Sequence, residues 1–272
     1  MSGCADSMLF TPEYPDIKRK NSLTFSSPSF IIDCPFYENA IEARDRIQCQ
    51  EYDLLLPGPC NLHCKYCFSE WGKEPQNSPC PKKSFDDITD IIRQNISAGL
   101  RKVRIKSNGE PTLYPRFWDL IDFINLHGGQ TEVYTNSFNN TAELSRMFAA
   151  KNVNIVTKLD ALTPEINDYL TGVTGSFTIQ YKAVFNFIEA GYTMDGPKLG
   201  LHAIICKQNY GQLPRFWRFC RDLDIIPYFQ IPAPPPNRNN PYFRELCVDR
   251  VAIHKLFEQI LRIDKEEYGN SC

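Results

Sequence analysis

Two rhythms alternate along this chain. The apolar run 52–56, and Val103 and Ile105 alternating with Arg104 and Lys106, read as strands; Ile88, Ile91, Ile92 and Ile96 at helical spacing read as a helix. Ser84 supplies that helix with an N-cap, Asp87 sits three positions on as in a capping box, and Gly99 marks the stop. Pro115 opens a second helix with Phe117, Leu120, Ile121 and Ile124 on one face, ended by Gly128 and Gly129. The alternation continues with a strand at 131–135, a helix at 141–150 and a strand at 153–159. A helical stretch starts at Thr163-Pro164-Glu165, resumes at Ser176 and ends near Gly191. A strand at 198–205, a helix at 214–223 and a strand at 225–231 follow. Asp249 then caps a last helix bearing Val251, Leu256, Phe257, Ile260 and Leu261.

Strands alternating with helices in this way require an α/β architecture, a parallel sheet with right-handed crossovers. The pattern predicts an N-terminal extension over 1–50, with one short strand near 30–32, a core over 51–232, and a Pro-rich loop with a C-terminal helix over 233–272. A Pro-rich connection is expected at 72–83 and a stiff, extended segment at 232–241. The length of 272 residues suits one large α/β domain, and 42% hydrophobic content is enough for a proper core. A formal net charge of -2 gives no electrostatic reason to expect nucleic acid or an anionic membrane as partner. No run approaches a membrane span and the N-terminus has no apolar core behind a basic start, so a cytoplasmic protein is expected.

The eleven cysteines change the picture. Cys60, Cys64 and Cys67 crowd into Cys60-Asn61-Leu62-His63-Cys64-Lys65-Tyr66-Cys67, just after the first strand. Thiolates favour soft or borderline metals, and iron–sulfur clusters are ordinarily held by four of them; three on a tight loop suggest a cubane with one iron left open. A zinc site would need a fourth ligand, for which His63 or Cys80 is available. Cys4, Cys34 and Cys49 have no metal-like spacing, and Cys80, Cys206, Cys220, Cys247 and Cys272 stay unplaced.

The octapeptide resembles the signature of the radical S-adenosylmethionine (radical SAM) enzymes: three cysteines with an aromatic residue before the last, after the first strand of a partial barrel. The resemblance covers roughly residues 52–231 and implies a partial (β/α)6 TIM-like barrel. It implies that Cys60, Cys64 and Cys67 bind a [4Fe–4S] cluster whose open iron is chelated by S-adenosyl-L-methionine. At the end of the second strand, Ser107-Asn108-Gly109-Glu110 is similar to the family's Gly-Gly-Glu motif, with Asn108 in place of the first Gly; Glu110 would accept a hydrogen bond from the SAM ammonium.

In parallel sheets ligands gather at the carboxyl ends of strands, which makes Tyr66, Ser107, Asn108, Gly109, Glu110, Asn136, Lys158 and Asp160 the cofactor-binding candidates. By the resemblance, Tyr66 would line the adenine, while Asn136, Lys158 and Asp160 would meet the carboxylate and ribose. His202, within the fifth strand, faces either way, and Gln230 and Ile231 offer backbone to adenine.

The family chemistry is reductive. One electron enters the cluster from a donor such as flavodoxin or ferredoxin, SAM is split, and a 5′-deoxyadenosyl radical removes hydrogen from a small-molecule or peptide substrate, as in epimerases, dehydrogenases and maturation enzymes. Residues 268–272 after the last helix are reminiscent of the start of a SPASM or twitch extension, which leaves an auxiliary iron–sulfur cluster open. The other function class is a non-catalytic iron–sulfur or zinc protein that binds a partner or carries electrons. A methylase is disfavoured because no paired methyl-accepting cysteine stands out.

Overall fold

The computed structural model describes residues 50–69, 83–192, 196–233 and 242–269. The expected strand near 30–32, most of the connection at 72–83, most of the Pro-rich loop, and Cys4, Cys34, Cys49, Cys80 and Cys272 lie outside the described residues.

Among the described residues, six strands form one sheet: β1 (Glu51–Leu56), β2 (Lys102–Ser107), β3 (Gln130–Thr135), β4 (Asn154–Lys158), β5 (Leu199–Ile204) and β6 (Ile226–Gln230). They lie in sequential order and every neighbouring pair is parallel, so this is the open, partial TIM-like sheet of the expected α/β class. Helices follow the strands: α1 (Phe85–Ser97), α2 (Phe117–Leu126), α3 (Ala142–Ala150), α4 (Pro164–Thr171), α5 (Ser176–Glu189) and α6 (Leu213–Asp222). Then come a four-residue α7 (Phe243–Leu246) and the long α8 (Arg250–Glu267).

The start signals act as expected. Ser84 and Asp87 close a reciprocal capping box on α1, with Asp87 N–H to Ser84 Oγ at 3.1 Å and Ser84 N–H to Asp87 Oδ2 at 2.9 Å. Asp249 accepts from Ala252 N at 2.9 Å to cap α8; a cap of this kind stabilises by about 1 kcal/mol. Between α4 and α5 the chain breaks at Gly172. There the Asp168 carboxylate takes over as cap from the preceding helix, accepting from Gly175 N at 2.6 Å and Phe177 N at 2.7 Å. The short α7 left no periodic signal, being a single turn, yet its Leu246 is fully buried.

The helices cover one face of the sheet. Leu54, Leu56, Val103, Ile105, Val133, Ile155, Leu201 and Ala203 point there and are buried among Phe117, Phe148, Phe187 and Phe216. Burying a side chain of this size contributes about 1.5–3 kcal/mol, so this face carries the fold. Pleating sends the intervening residues to the other face, where the register aligns Glu51, Lys102 and Gln130, then Asp53, Arg104 and Glu132, and higher up Lys158, His202 and Tyr228. Val251 and Leu261 of α8, expected in its apolar stripe, are largely exposed, and Leu256, Ile260 and Ile263 make the contact instead.

Candidate active site

The cysteine loop is gripped from two sides. On one side the His63 and Lys65 amides donate to Thr171 O and Leu170 O, both at 2.9 Å, using carbonyls that the end of α4 leaves without helical partners. Gly172 makes this possible twice over: its φ is +71°, and a Cβ there would stand 2.3 Å from His63 O. On the other side the turn after β2 donates from Glu110 N to Pro59 O at 2.9 Å and from Asn108 N to Leu56 O at 3.1 Å. A Cβ on Gly109 would fall 2.1 Å from Pro59 O, so only glycine permits this approach. Leu62, fully buried, anchors the loop between the two.

Within that grip the three thiols share one neighbourhood, since charge on Cys67 would raise the pKa of both Cys60 and Cys64. Burial pushes the Cys60 thiol up, and pushes Cys64 up to about 12 against the lowering effect of the Lys158 ammonium. Thiols that resist ionising unaided become thiolates when a metal supplies the positive charge, so the donor set suits a soft metal centre. Around them, Asn136 Nδ2 lies 3.7 Å from Cys60 Sγ, and Ser69 Oγ lies 3.3 Å from Cys67 Sγ while donating to Asn108 O. Asn61 Nδ2 is buried without a hydrogen-bond partner, a polar atom left over beside the thiols.

Glu110 is the hub between strand ends. Its Oε1 accepts from Thr135 Oγ1 at 2.6 Å, Thr112 Oγ1 at 2.8 Å and Thr112 N at 3.2 Å; its Oε2 accepts from Asn136 N at 2.7 Å. Burial pushes the carboxyl above its ordinary range, opposed by those hydrogen bonds. Oε1 is fully used, and Oε2 keeps one acceptor position for a further donor. Ser107 serves the turn itself, its Oγ donating to Leu56 O and accepting from Gly109 N, each at 3.0 Å.

Tyr66, Lys158 and Asp160 are brought together. Asp160 is fully enclosed, its carboxylate accepting from the Tyr66 hydroxyl, from Ile204 N at 3.0 Å and from Lys158 Nζ at 3.2 Å. The carboxylate fixes Tyr66 and Lys158. Lys158 Nζ also stands 4.5 Å over the Tyr66 ring, which leaves the ammonium near Cys64. Tyr66 itself is buried with Leu170, Ile204, Cys206 and Leu246. His202 lies on the concave face, its ring 4.8 Å from that of Tyr228 and its Nε2 buried without a partner.

Several residues in this network gave no motif in the sequence. Ser69 is close enough to Cys67 to have been considered. Gln180 and Asn167 were visible only as polar residues within helical stretches; they bond each other at 2.9 Å, and Gln180 Nε2 supports Asn136 O at 2.9 Å. Asn209 ties the end of β5 to Asp160 O at 2.6 Å.

The profile of the Radical SAM superfamily matches residues 57–219, which run from the cysteine loop into α6. The chain belongs to the radical SAM superfamily. The cofactors of radical SAM proteins, a [4Fe–4S] cluster and S-adenosylmethionine, are therefore those of this chain. Among radical SAM relatives, it is 33% identical over 158 residues to the mycofactocin maturase MftC of Mycobacterium tuberculosis, covering 58% of this chain and 38% of that one. It is 28% identical over 179 residues to a tungsten-containing aldehyde ferredoxin oxidoreductase cofactor-modifying protein of Pyrococcus furiosus, covering 63% and 48%. The radical SAM fold is shared with SuiB of Streptococcus suis bound to S-adenosylmethionine, at a TM-score of 0.65 and 24% identity over 80% of this chain and 48% of that one. The chain thus spans about half or less of the length of these proteins. No helix among the described residues is long and apolar enough to cross a membrane.

Proposed function

We propose that this chain holds the catalytic core of an enzyme that cleaves S-adenosylmethionine reductively and uses the product to modify a peptide. The observation that carries the reading is the cysteine loop, three thiols held in one neighbourhood by backbone bonds from two flanking elements. Cys60, Cys64 and Cys67 would ligate the cluster. The free acceptor position on Glu110 Oε2 would receive the ammonium of S-adenosylmethionine, and the unpartnered Asn61 amide would donate beside it. When bound, cluster and cosubstrate together supply one-electron reductive cleavage and hydrogen abstraction from the substrate, a chemistry the protein itself lacks. The chain's own part is to fix the thiols, to keep the Lys158 charge beside Cys64, and to shape the polar concave face on which a substrate would rest.

A peptide is favoured as substrate because SuiB, which shares the fold, has been captured with the precursor peptide SuiA. A one-electron donor of the flavodoxin or ferredoxin kind belongs to the same proposal. A closed zinc site would need a fourth ligand from His63 or from Cys80, and Cys80 lies outside the described residues.

The test is anaerobic reconstitution of the wild-type chain and Cys64→Ala, followed by dithionite and S-adenosylmethionine. Wild type should carry about four irons and release methionine and 5′-deoxyadenosine, and the variant should do neither. Cleavage retained in the variant would overturn the site. Deuterium moving into 5′-deoxyadenosine from labelled peptides would support the substrate class, and transfer from non-peptide molecules alone would overturn it.

A further inference from the structure

We infer that Asn136 is a positioning residue for the cluster, its side-chain N–H directed at the Cys60 sulfur so as to stabilise the reduced state, and that it is not a contact to S-adenosylmethionine. The inference rests on the reading that Cys60, Cys64 and Cys67 ligate a [4Fe–4S] cluster.

Each polar atom of the Asn136 side chain is engaged. Asn136 Oδ1 accepts from Phe138 N at 2.9 Å, which fixes which end of the amide is nitrogen. Of the two hydrogens on Nδ2, one goes to Asn61 Oδ1 at 2.7 Å and the other faces Cys60 Sγ at 3.7 Å. The backbone is held as firmly, with N–H to Glu110 Oε2 at 2.7 Å and C=O accepting from Gln180 Nε2 at 2.9 Å. No donor of Asn136 is left for a nucleotide, and the residue is only 9% exposed, so water screens the N–H···S contact little.

Hydrogen bonds to cluster sulfurs and the outer shell of a metal site set its reduction potential. A cluster held by these thiols would carry more negative charge on its sulfurs when reduced, and a fixed donor would favour that state over the oxidised one. Removing the donor therefore makes reduction harder.

The experiment is a redox titration of reconstituted protein followed by electron paramagnetic resonance, without S-adenosylmethionine, in wild type, Asn136→Asp, Asn136→Ser and Asn186→Ala. Asn136→Asp keeps the acceptor for Phe138 and replaces the NH2 group with oxygen. At fixed applied potential its reduced-to-oxidised ratio should fall on the order of tenfold, ~59 mV for a one-electron couple. Asn136→Ser should shift the same way by less. Asn186, a buried amide bonded to Asn140 Oδ1 at 3.1 Å, controls for general loosening and should leave the ratio unchanged. An unchanged ratio at equal iron content in Asn136→Ser, which removes the donor without adding the negative charge that Asn136→Asp brings, would overturn the inference, as would two folded variants that bind no iron. Wild-type protein without a cluster would instead defeat the underlying reading of the cysteines.

Discussion

The two faces of β2 are built in opposite ways. Val103 and Ile105 are fully buried against the helices, while Lys102, Arg104 and Lys106, one residue out of phase, line the concave side. There they pair in a chain of ions: Lys102 with Glu51 at 3.1 Å, Arg104 with Asp53 at 2.7 Å and Lys106 with Asp53 at 2.7 Å. The Asp53 side chain is 49% exposed, so such pairs are worth only about 0–1 kcal/mol each. The helix side holds the sheet together; the concave side spends its residues on polar groups that add little stability. The same division separates Leu62, which anchors the cysteine loop, from the thiols around it.

If that division is real, damage to the helix side should be large and indifferent to the cofactor. Ile105→Ala opens a cavity in the buried cluster that also holds Leu120, Ile121 and Ile124 and should cost about 2–5 kcal/mol. The shift in urea midpoint measures it, while iron per folded chain should not change. A midpoint within error of wild type would mean that the helix side does not carry the fold.

Glu110 sits where the two sides meet, and a substitution there should show a smaller, mixed effect. Glu110→Gln keeps the shape but turns one acceptor oxygen into a donor. An NH2 group placed toward Oε2 would confront the Asn136 N–H, and placed toward Oε1 it would confront the Thr112 N–H. Either arrangement leaves a buried donor unmet and should cost about 1–3 kcal/mol. Affinity for S-adenosylmethionine, read by calorimetry on reconstituted protein, should fall while iron content is kept. Loss of iron with unaltered stability would show that the residue serves the cluster alone.

The helix side was legible because burial imposes a period on the sequence: Ile88, Ile92, Leu120, Ile124 and the strand alternations needed no partner to be recognised. The cysteine loop was legible from its spacing. The polar network was not, because one residue type serves many partners. Asn136 and Asp160 stood at the strand ends where ligands gather, yet their side chains turn to Cys60 and Asn61 in one case and to Tyr66, Ile204 and Lys158 in the other. Apart from Lys158, those partners lie tens of residues away, and no local rule connects them. Gly109 and Gly172 tell the same story, since each is required by a carbonyl from a distant loop.

His202 allows the mildest test of the contrast, because its Nε2 is buried without a hydrogen-bond partner on the concave face. Burial pushes its pKa well below the usual value, and the Lys158 and Lys106 ammonium groups push the same way. Unfolded, the same imidazole titrates near about 6.5. As pH falls through that value the unfolded chain takes up a proton that the folded chain refuses, so more protons are bound in the unfolded state and stability declines. The penalty is absent well above pH 6.5 and grows below it until the depressed folded pKa is reached. The groups facing the ring include Lys158, Lys106 and Tyr228, and no carboxylate among its described determinants raises its pKa in compensation. His202→Phe keeps a ring against Tyr228 and removes the titration. Its urea midpoint should fall less than that of wild type between pH 7 and pH 5, with little difference between the two proteins at pH 8. Parallel curves for the two proteins would mean that the imidazole is protonated in place, with a counter-charge on the concave face holding it.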